Sequence, residues 1–486
     1  MNFKNKNILI FGYGRSGQSA HKLLQNFSQN IYIYDKKFKI DILKNNKNLI
    51  KNNKNRCIFN EKIHFFNNFK EIKNKKINFC ILSPGVDTNS KEVKYLKENK
   101  IKIVSELELG ASFCKGKIFA ITGTNGKTTT ANLLYHIFKT AKKEAFLCGN
   151  VGIPICEIAK LTTDKSFIVC EVSSFQLETT KNFKPYASCF LNLAEDHFDR
   201  HKNLTNYGNI KNKINNNFKT KKIFNIEDEN VTKFSKKYLN SLNFNAKNNF
   251  FIKNNSNLYK LLLKNNLIGH FNNQNLVSAC VMSKLAKIDD CYIKKAIKTF
   301  KGLPHRLEVI FENKDLKIIN DSKATNPHST EAGLDAVGEN TILLLGGSGK
   351  GLDFTPIFKK KFLHCIAFGE ARNEIKKCSN QDITIKEKFK DAVTYALELA
   401  HKIIKENTNN IAQEIKISRN SKKENHKQPA AEENKLSTKT EKLTILLSPA
   451  CASFDEFTSY EARGNAYKTI VLNQTKQFTC LNNLSK

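Results

Sequence analysis

One stretch of this chain leaves little freedom in how it folds. Ile118-Phe-Ala-Ile121 is an apolar run of strand length, the residues from Lys127 onward read as a helix, and Thr122-Gly-Thr-Asn-Gly-Lys-Thr-Thr129 joins the two. A strand, a glycine-bearing loop and a helix in that order aim successive backbone N–H groups and a helix N-terminus at phosphate oxygens. Lys127 adds a point charge beside Gly123, Thr124, Asn125, Gly126 and Thr129, and Thr128 presents a hydroxyl to magnesium. The loop predicts a nucleoside triphosphate site on a parallel sheet. It is a variant, because Ile121 stands where such loops usually carry their first glycine.

The same alternation of short apolar runs and longer helical stretches recurs along the chain, which predicts an α/β protein of parallel sheets with crossover helices. At 486 residues the chain has room for about three domains. Three series of strands separate: one from Ile8–Phe11 through Ile31–Tyr34 and Ile77–Leu82 to Ile101–Val104. A second runs from Ile118–Ile121 through Phe167–Cys170 and Ser188–Leu193 to Lys222–Ile226, and a third from Leu316–Ile319 through Ile342–Leu345 and Cys365–Phe368 to Leu443–Leu447. These series place domains at 1–104, 105–302 and 303–486. The polar stretch 405–442 has too little apolar surface to offset the entropy of ordering it, and reads as a disordered insertion in the third domain.

A formal charge of +35 raises the question of nucleic acid. The lysines, however, are spread among asparagines and isoleucines and are not gathered into an arm or a helix face, so no nucleic-acid partner is expected. Thirteen cysteines stand singly, without a Cys-x-x-Cys pair, as small buried residues in a reducing compartment. No apolar run approaches the roughly 20 residues that cross a bilayer, and the amino terminus reads as a first strand. A soluble, cytoplasmic monomer with no membrane partner is the expectation.

Ile8-Leu-Ile-Phe-Gly12-Tyr-Gly14-Arg-Ser-Gly17 is a strand running into Gly-x-Gly-x-x-Gly, with Asp35 at the end of the next strand as a candidate acceptor for a ribose hydroxyl. By itself this fits a dinucleotide or another nucleotide diphosphate. In the second series Phe167–Cys170 delivers Glu171 at its carboxyl end. Ser188–Leu193, read as its neighbour, delivers Asp196, His197 and Asp199. Glu171 and His197 are thus magnesium-ligand candidates beside the phosphate loop.

The variant loop, then Glu171-Val-Ser-Ser-Phe-Gln-Leu-Glu178, then Asp196-His-Phe-Asp-Arg-His201, resembles the Mur ligase family, which builds the peptide of peptidoglycan. The resemblance implies a Rossmann-like first domain, a central P-loop ATPase domain and a Rossmann-like third domain. It also implies ATP, two magnesium ions and a carbamylated lysine as second-metal ligand. Tyr207-Gly-Asn-Ile-Lys211 nominates Lys211, with Lys213 as a rival. The ligands would be Thr128 and Glu171 for one ion, His197 and Lys211 for the other.

Gly302-Leu-Pro-His-Arg306, Asp321-Ser-Lys-Ala-Thr-Asn326, Leu344-Leu-Gly-Gly-Ser-Gly-Lys350 and Ser448-Pro-Ala-Cys-Ala-Ser453 are most similar to the member of that family that adds D-glutamate. What this implies is an ATP-driven ligase joining D-glutamate to UDP-N-acetylmuramoyl-L-alanine through an acyl phosphate, in a pathway that serves cell shape and division. Gly14, Arg15, Ser16, Asp35, Ser83 and Gly85 would then hold the uridine diphosphate, so no nicotinamide is required. Asn150 would steady the acceptor carboxylate. Asn272, Asn275, Arg306 and Asp321 would serve the nucleotide, Lys323 the acceptor, and Thr325, Lys350, Ser453 and Tyr460 the glutamate. Phe271 stands in the family's histidine place, and Tyr460 where an aromatic ring, commonly Phe, lines the pocket. A sibling ligase using another amino acid or L-glutamate, and a non-catalytic nucleotide-binding protein on the same scaffold, remain the alternatives.

Overall fold

Each of the three strand series closes into its own sheet. The computed structural model describes residues 2–36, 50–53, 56–60, 62–246, 267–349, 351–424 and 442–481. The first sheet contains β1 (Asn7–Phe11), β2 (Asn30–Tyr34), β3 (Ile50–Asn53), β4 (Arg56–Asn60), β5 (Ile63–Phe66), β6 (Phe79–Leu82) and β7 (Lys102–Ser105), in the order 3-4-5-2-1-6-7. The second contains β8 (Lys117–Thr122), β9 (Ala145–Gly149), β10 (Phe167–Glu171), β11 (Ala187–Phe190), β12 (Lys221–Asn225) and β13 (Leu242–Phe244), in the order 13-12-11-8-10-9. The third contains β14 (Glu308–Glu312), β15 (Leu316–Asn320), β16 (Thr341–Gly346), β17 (His364–Phe368), β18 (Thr384–Ile385) and β19 (Leu443–Ala450), in the order 14-15-19-16-17-18.

The central strands are buried on both faces and read as continuous Ile, Leu and Phe runs, as parallel strands under helices must. Ile8, Leu9 and Ile10 are fully buried, and so is all of β16. The edges depart from the expected all-parallel pattern. Strand β4 pairs antiparallel with both β3 and β5, and β14 antiparallel with β15. Their apolar runs are brief: β3 is Ile-Lys-Asn-Asn, and β4 and β14 hold three apolar residues each between polar ones.

Strands β10 and β11 are not the neighbours that the sequence predicts. β8 lies between them, in register with both. The strand that opens the second sheet therefore has later strands on either side, and its carboxyl end faces the crevice where the direction of winding reverses. Ligands of open α/β sheets gather there.

The chain divides into two compact units, Met1–Asn266 with Phe271–Phe300, and Leu267–His270 with Lys301–Lys486. The first two sheets share one unit because the helix Glu106–Phe113 serves both cores. Its Leu109 packs with Ile8, Ile10 and Ile33 of the first sheet, while Leu107 packs with Ile118, Ile168 and Cys170 of the second. Each such leucine contributes about 2 kcal/mol by leaving water.

Part of the expected disordered insertion is helical. The helix Phe389–Glu424 buries Phe389, Ala392, Val393, Ala396, Leu397 and Ala400 at helical spacing, and continues through 405–424. That continuation carries four Lys, three Glu and one Arg, straight-chain residues that lose little freedom in a helix, and it has no Gly or Pro to break one. Residues 425–441 of the stretch lie outside the described residues. Among the described residues no helix is long and apolar enough to cross a membrane.

Candidate active site

The phosphate loop leaves β8 at Thr122 and enters the helix Lys127–Thr140 through Gly126, whose φ of +79° is left-handed. A Cβ on Gly126 would lie 2.2 Å from Asn275 Oδ1, so glycine is required twice over. Asn275, from the helix His270–Leu285, accepts from the Thr130 hydroxyl at 3.1 Å and donates to Asn272 Oδ1 at 3.1 Å. Both predicted asparagines are thus buried, with Asn275 directly against the loop. Lys127 curls over the loop, donating to the carbonyls of Gly123 (2.8 Å) and Thr124 (2.6 Å). Thr128 and Thr129 are buried in the first helical turn.

The loop is held from the side by a residue that sequence reasoning missed. Asn192, just past β11, accepts the Asn125 N–H at 2.8 Å, donates to the Asn125 carbonyl at 3.1 Å, and takes the Thr124 N–H on its own carbonyl. Its only signal in the chain was an asparagine at the carboxyl end of a strand bordering the loop.

Glu171 ends β10 and is buried, and its Oε1 accepts from Asn150 Nδ2 at 3.1 Å. The two are brought together because Gly149, at φ +112°, lies so close that a Cβ there would be 2.1 Å from the Glu171 carbonyl. His197 opens the helix Phe198–His201 with φ +54°, its Nε2 3.5 Å from Asp196 Oδ2 and its ring against Phe175.

Lys211, in the helix Leu204–Asn212, is 1% exposed and donates to the Gly123 carbonyl at 2.7 Å. Burial, and then the neighbouring Lys127, hold its amine well below the ordinary lysine range, with Asp196 and Glu171 acting in the opposite direction. Tyr207 lies between the groups, its ring 4.4 Å from the Lys211 ammonium and edge-on to His197. The rival Lys213 reaches away and donates to the Glu178 carbonyl.

Among the described residues no three His, Cys, Asp or Glu side chains converge as a ready cage for a metal ion. The donor set suits magnesium nonetheless, since that ion takes one or two carboxylates and fills its shell with water and substrate phosphates. Thr128 and Glu171 border the phosphate loop, and His197 and Lys211 flank Tyr207.

In the first sheet the Asp35 Oδ2 accepts the Tyr13 N–H at 2.7 Å, so this carboxylate stabilises the glycine loop itself. Ser83 donates to the Gly12 carbonyl at 2.7 Å, and a Cβ on Gly17 would lie 2.0 Å from that same oxygen. Gly14 and Gly85 have open space where a side chain would stand. Arg15 is exposed and donates to the Gly152 carbonyl, and Ser16 lies in the first turn of the helix Arg15–Leu24.

The second unit holds the remaining candidates. Asp321, after β15, accepts the Leu307 N–H at 3.2 Å and the Ser448 hydroxyl at 3.0 Å. Burial pushes its carboxyl up to about 7, against these bonds and the nearby Arg306. Lys323 donates to the Tyr460 hydroxyl at 2.7 Å, Ser453 is buried, and Thr325 is exposed. Lys350 lies outside the described residues. Sequence reasoning also missed Arg463, which is fully buried and donates to Ser322 Oγ (3.0 Å) and to the carbonyls of Ser322 (2.9 Å), Cys451 (3.0 Å) and Ala452 (3.3 Å). One guanidinium thereby ties the Asp321–Asn326 loop to the loop after β19, although burial draws its pKa down to about 10.

A family model described as the Mur ligase middle domain matches residues 121–283. The UDP-N-acetylmuramoylalanine–D-glutamate ligase of Caldanaerobacter subterraneus subsp. tengcongensis is 32% identical, over 97% of this chain and 99% of that protein. The enzymes of the same name from Thermoanaerobacter pseudethanolicus and Lachnoclostridium phytofermentans are 33% and 31% identical over the same shares.

Proposed function

This chain belongs to the Mur ligase family, and from that premise we propose that it is the ATP-dependent ligase that adds D-glutamate to UDP-N-acetylmuramoyl-L-alanine in peptidoglycan precursor synthesis. The observation that carries the reading is the buried Lys211 amine on the Gly123 carbonyl, with Glu171 and Asp196 as its charged neighbours. A protein that only bound a nucleotide would have no use for a buried amine under its phosphate loop.

The loop Gly123 to Thr129 and the N-terminus of its helix hold the triphosphate, and Lys127 swings from its own loop carbonyls onto phosphate oxygens. The acceptor's alanine carboxylate, steadied by Asn150, attacks the γ-phosphorus. A P–O bond forms as the bond to ADP breaks, giving an acyl phosphate. The amine of glutamate then attacks the acyl carbon, the C–O bond to phosphate breaks, and the amine's proton passes to solvent. Positive charge must offset the repulsion between carboxylate and triphosphate, which is the role of Lys127 and Lys323.

Magnesium, when bound, would neutralise phosphate charge, with Thr128 and Glu171 holding one ion and His197 and carbamylated Lys211 a second. Lys211 is suited to that modification because a neutral amine is the form that adds to carbon dioxide, releasing one proton and leaving an anionic oxygen donor. Gly14, Arg15, Ser16, Asp35, Ser83 and Gly85 hold the uridine diphosphate. Asn272, Asn275, Arg306 and Asp321 serve the ATP, and Thr325, Lys350, Ser453 and Tyr460 the glutamate. The division at 1–104, 105–302 and 303–486, a cytoplasmic location and a monomeric state belong to the same reading.

The test is phosphate release from ATP and UDP-N-acetylmuramoyl-L-alanine across a panel of amino acids. D-Glutamate alone should support turnover. Turnover with a different amino acid would make the chain a sibling ligase, and none at all, with both nucleotides still bound, would leave a binding protein.

A further inference from the structure

An ion pair joins the phosphate-loop side of the first unit to the loop that follows β6. Arg200, three residues after His197, donates from Nε to Glu178 Oε1 at 3.0 Å and from Nη2 to Oε2 at 2.6 Å. Both side chains are largely buried, at 16% and 8% exposed. Each also bonds the loop that follows β6 in the first sheet. Arg200 Nη2 also donates to the Val86 carbonyl at 2.8 Å, and the Thr88 hydroxyl donates to Glu178 Oε2 at 3.2 Å.

Val86 and Thr88 share a loop with Ser83 and Gly85, and this loop grips the first glycine turn. Ser83 bonds the Gly12 carbonyl, and a Cβ on Gly12 would lie 2.9 Å from both Ser83 Cβ and Val86 Cγ2. In the other direction Glu178 Oε1 stands 3.6 Å from His201 Nδ1, while His201 Nε2 bonds the Ser174 hydroxyl at 2.9 Å. The His201 ring stacks on Phe175 and on Tyr207, and Tyr207 covers the Lys211 amine that touches Gly123. Packed or hydrogen-bonded contacts therefore run without a gap from Gly12 to Gly123.

We propose that Arg200 and Glu178 are positioning residues that fix the spacing between the diphosphate-side loop of the first sheet and the phosphate loop of the second. The inference rests on the proposed function, because that spacing decides whether the acceptor carboxylate meets the γ-phosphate. A forked guanidinium is the group for this role. It makes three bonds in one plane, whereas an exposed flexible pair would hold nothing in place.

The test is steady-state kinetics on wild type, Arg200→Ala, Arg200→Lys and Thr88→Val, with thermal unfolding of each. Wild-type turnover establishes the reaction, and its absence would count against the proposed function, not against the bridge. Arg200→Ala should lower kcat about fiftyfold and raise the KM for the UDP-linked acceptor about tenfold, since small misplacements are costly when reactants must align. The KM for ATP should stay within about twofold, because the Arg200 bonds run to Glu178 and Val86, away from the phosphate loop. Millimolar guanidinium should restore part of the lost kcat, and Arg200→Lys should fall between alanine and wild type. Thr88→Val, which removes only the bond across to Glu178, should raise the acceptor KM about threefold. Equal rises in both KM values, or wild-type kinetics per folded molecule in Arg200→Ala, would overturn the proposal. If Arg200→Ala does not fold, an unchanged acceptor KM in both Arg200→Lys and Thr88→Val would overturn it as well.

Discussion

The loop after β1 and the loop after β8 both leave a strand with parallel neighbours on either side, and both open a helix, Arg15–Leu24 in one case and Lys127–Thr140 in the other. Around the first, the near groups are Asp35 on the Tyr13 N–H and Ser83 on the Gly12 carbonyl. Around the second, Lys127 lies across the turn, Lys211 touches it, and Glu171 and Asp196 stand as charged neighbours of Lys211. Glycines and a helix end suffice to hold a phosphate, whereas moving one needs charges brought in from adjacent strands.

The contrast breaks most sharply at Lys127. Lys127→Ala should lower kcat by about a thousandfold, since it removes charge where phosphoryl transfer develops it. Phosphate release measures this, and a loss confined to the KM for ATP would leave the second loop as a mere phosphate anchor. Lys211→Ala should lose about a hundredfold, with short carboxylates such as acetate restoring part by lending the missing oxygens. Full activity without any additive would remove the carbamate from the account.

Glu106 tests the wall that both regions share. Its carboxyl is buried on the helix Glu106–Phe113, accepts the Cys156 N–H at 2.9 Å, and is pushed by burial from 4.5 to about 7. Between those pH values the unfolded chain ionises first, so this group makes stability fall as pH rises, and its full cost is present above about 7. Glu106→Gln should therefore exceed wild type by about 2 kcal/mol at pH 8 in denaturant melts, an advantage that vanishes below the unfolded pKa. A gap independent of pH would show that the carboxyl is not the cause. The smallest effect is expected at the anchor. Asp35→Ala should raise the acceptor KM about tenfold and leave the KM for ATP unchanged.

How legible all this was in the chain depended on the range of the interaction involved. The central strands and both glycine turns were readable because each is a local pattern, an apolar run ended by residues that alone tolerate the turn. Antiparallel β3, β4 and β14 were not, since a strand at or next to the edge of a sheet is recruited by its partner more than by its own composition. Nor were Asn192 and Arg463, whose importance lies in bonds to loops remote in sequence. The helical run to Glu424 was misread because a polar segment that cannot build a core can still extend a helix already anchored by Phe389 to Ala400.

The phosphate loop, read alone, determined that a triphosphate binds at the end of a parallel strand, and with its companion motifs it named the family. Only the tertiary structure decided that β8 lies between β10 and β11, and that Lys211 and not Lys213 touches Gly123. Strand order is set by pairings between distant segments, and Lys211 stands in the last turn of the helix Leu204–Asn212 while Lys213 follows its end, so which one is buried depends on what packs there.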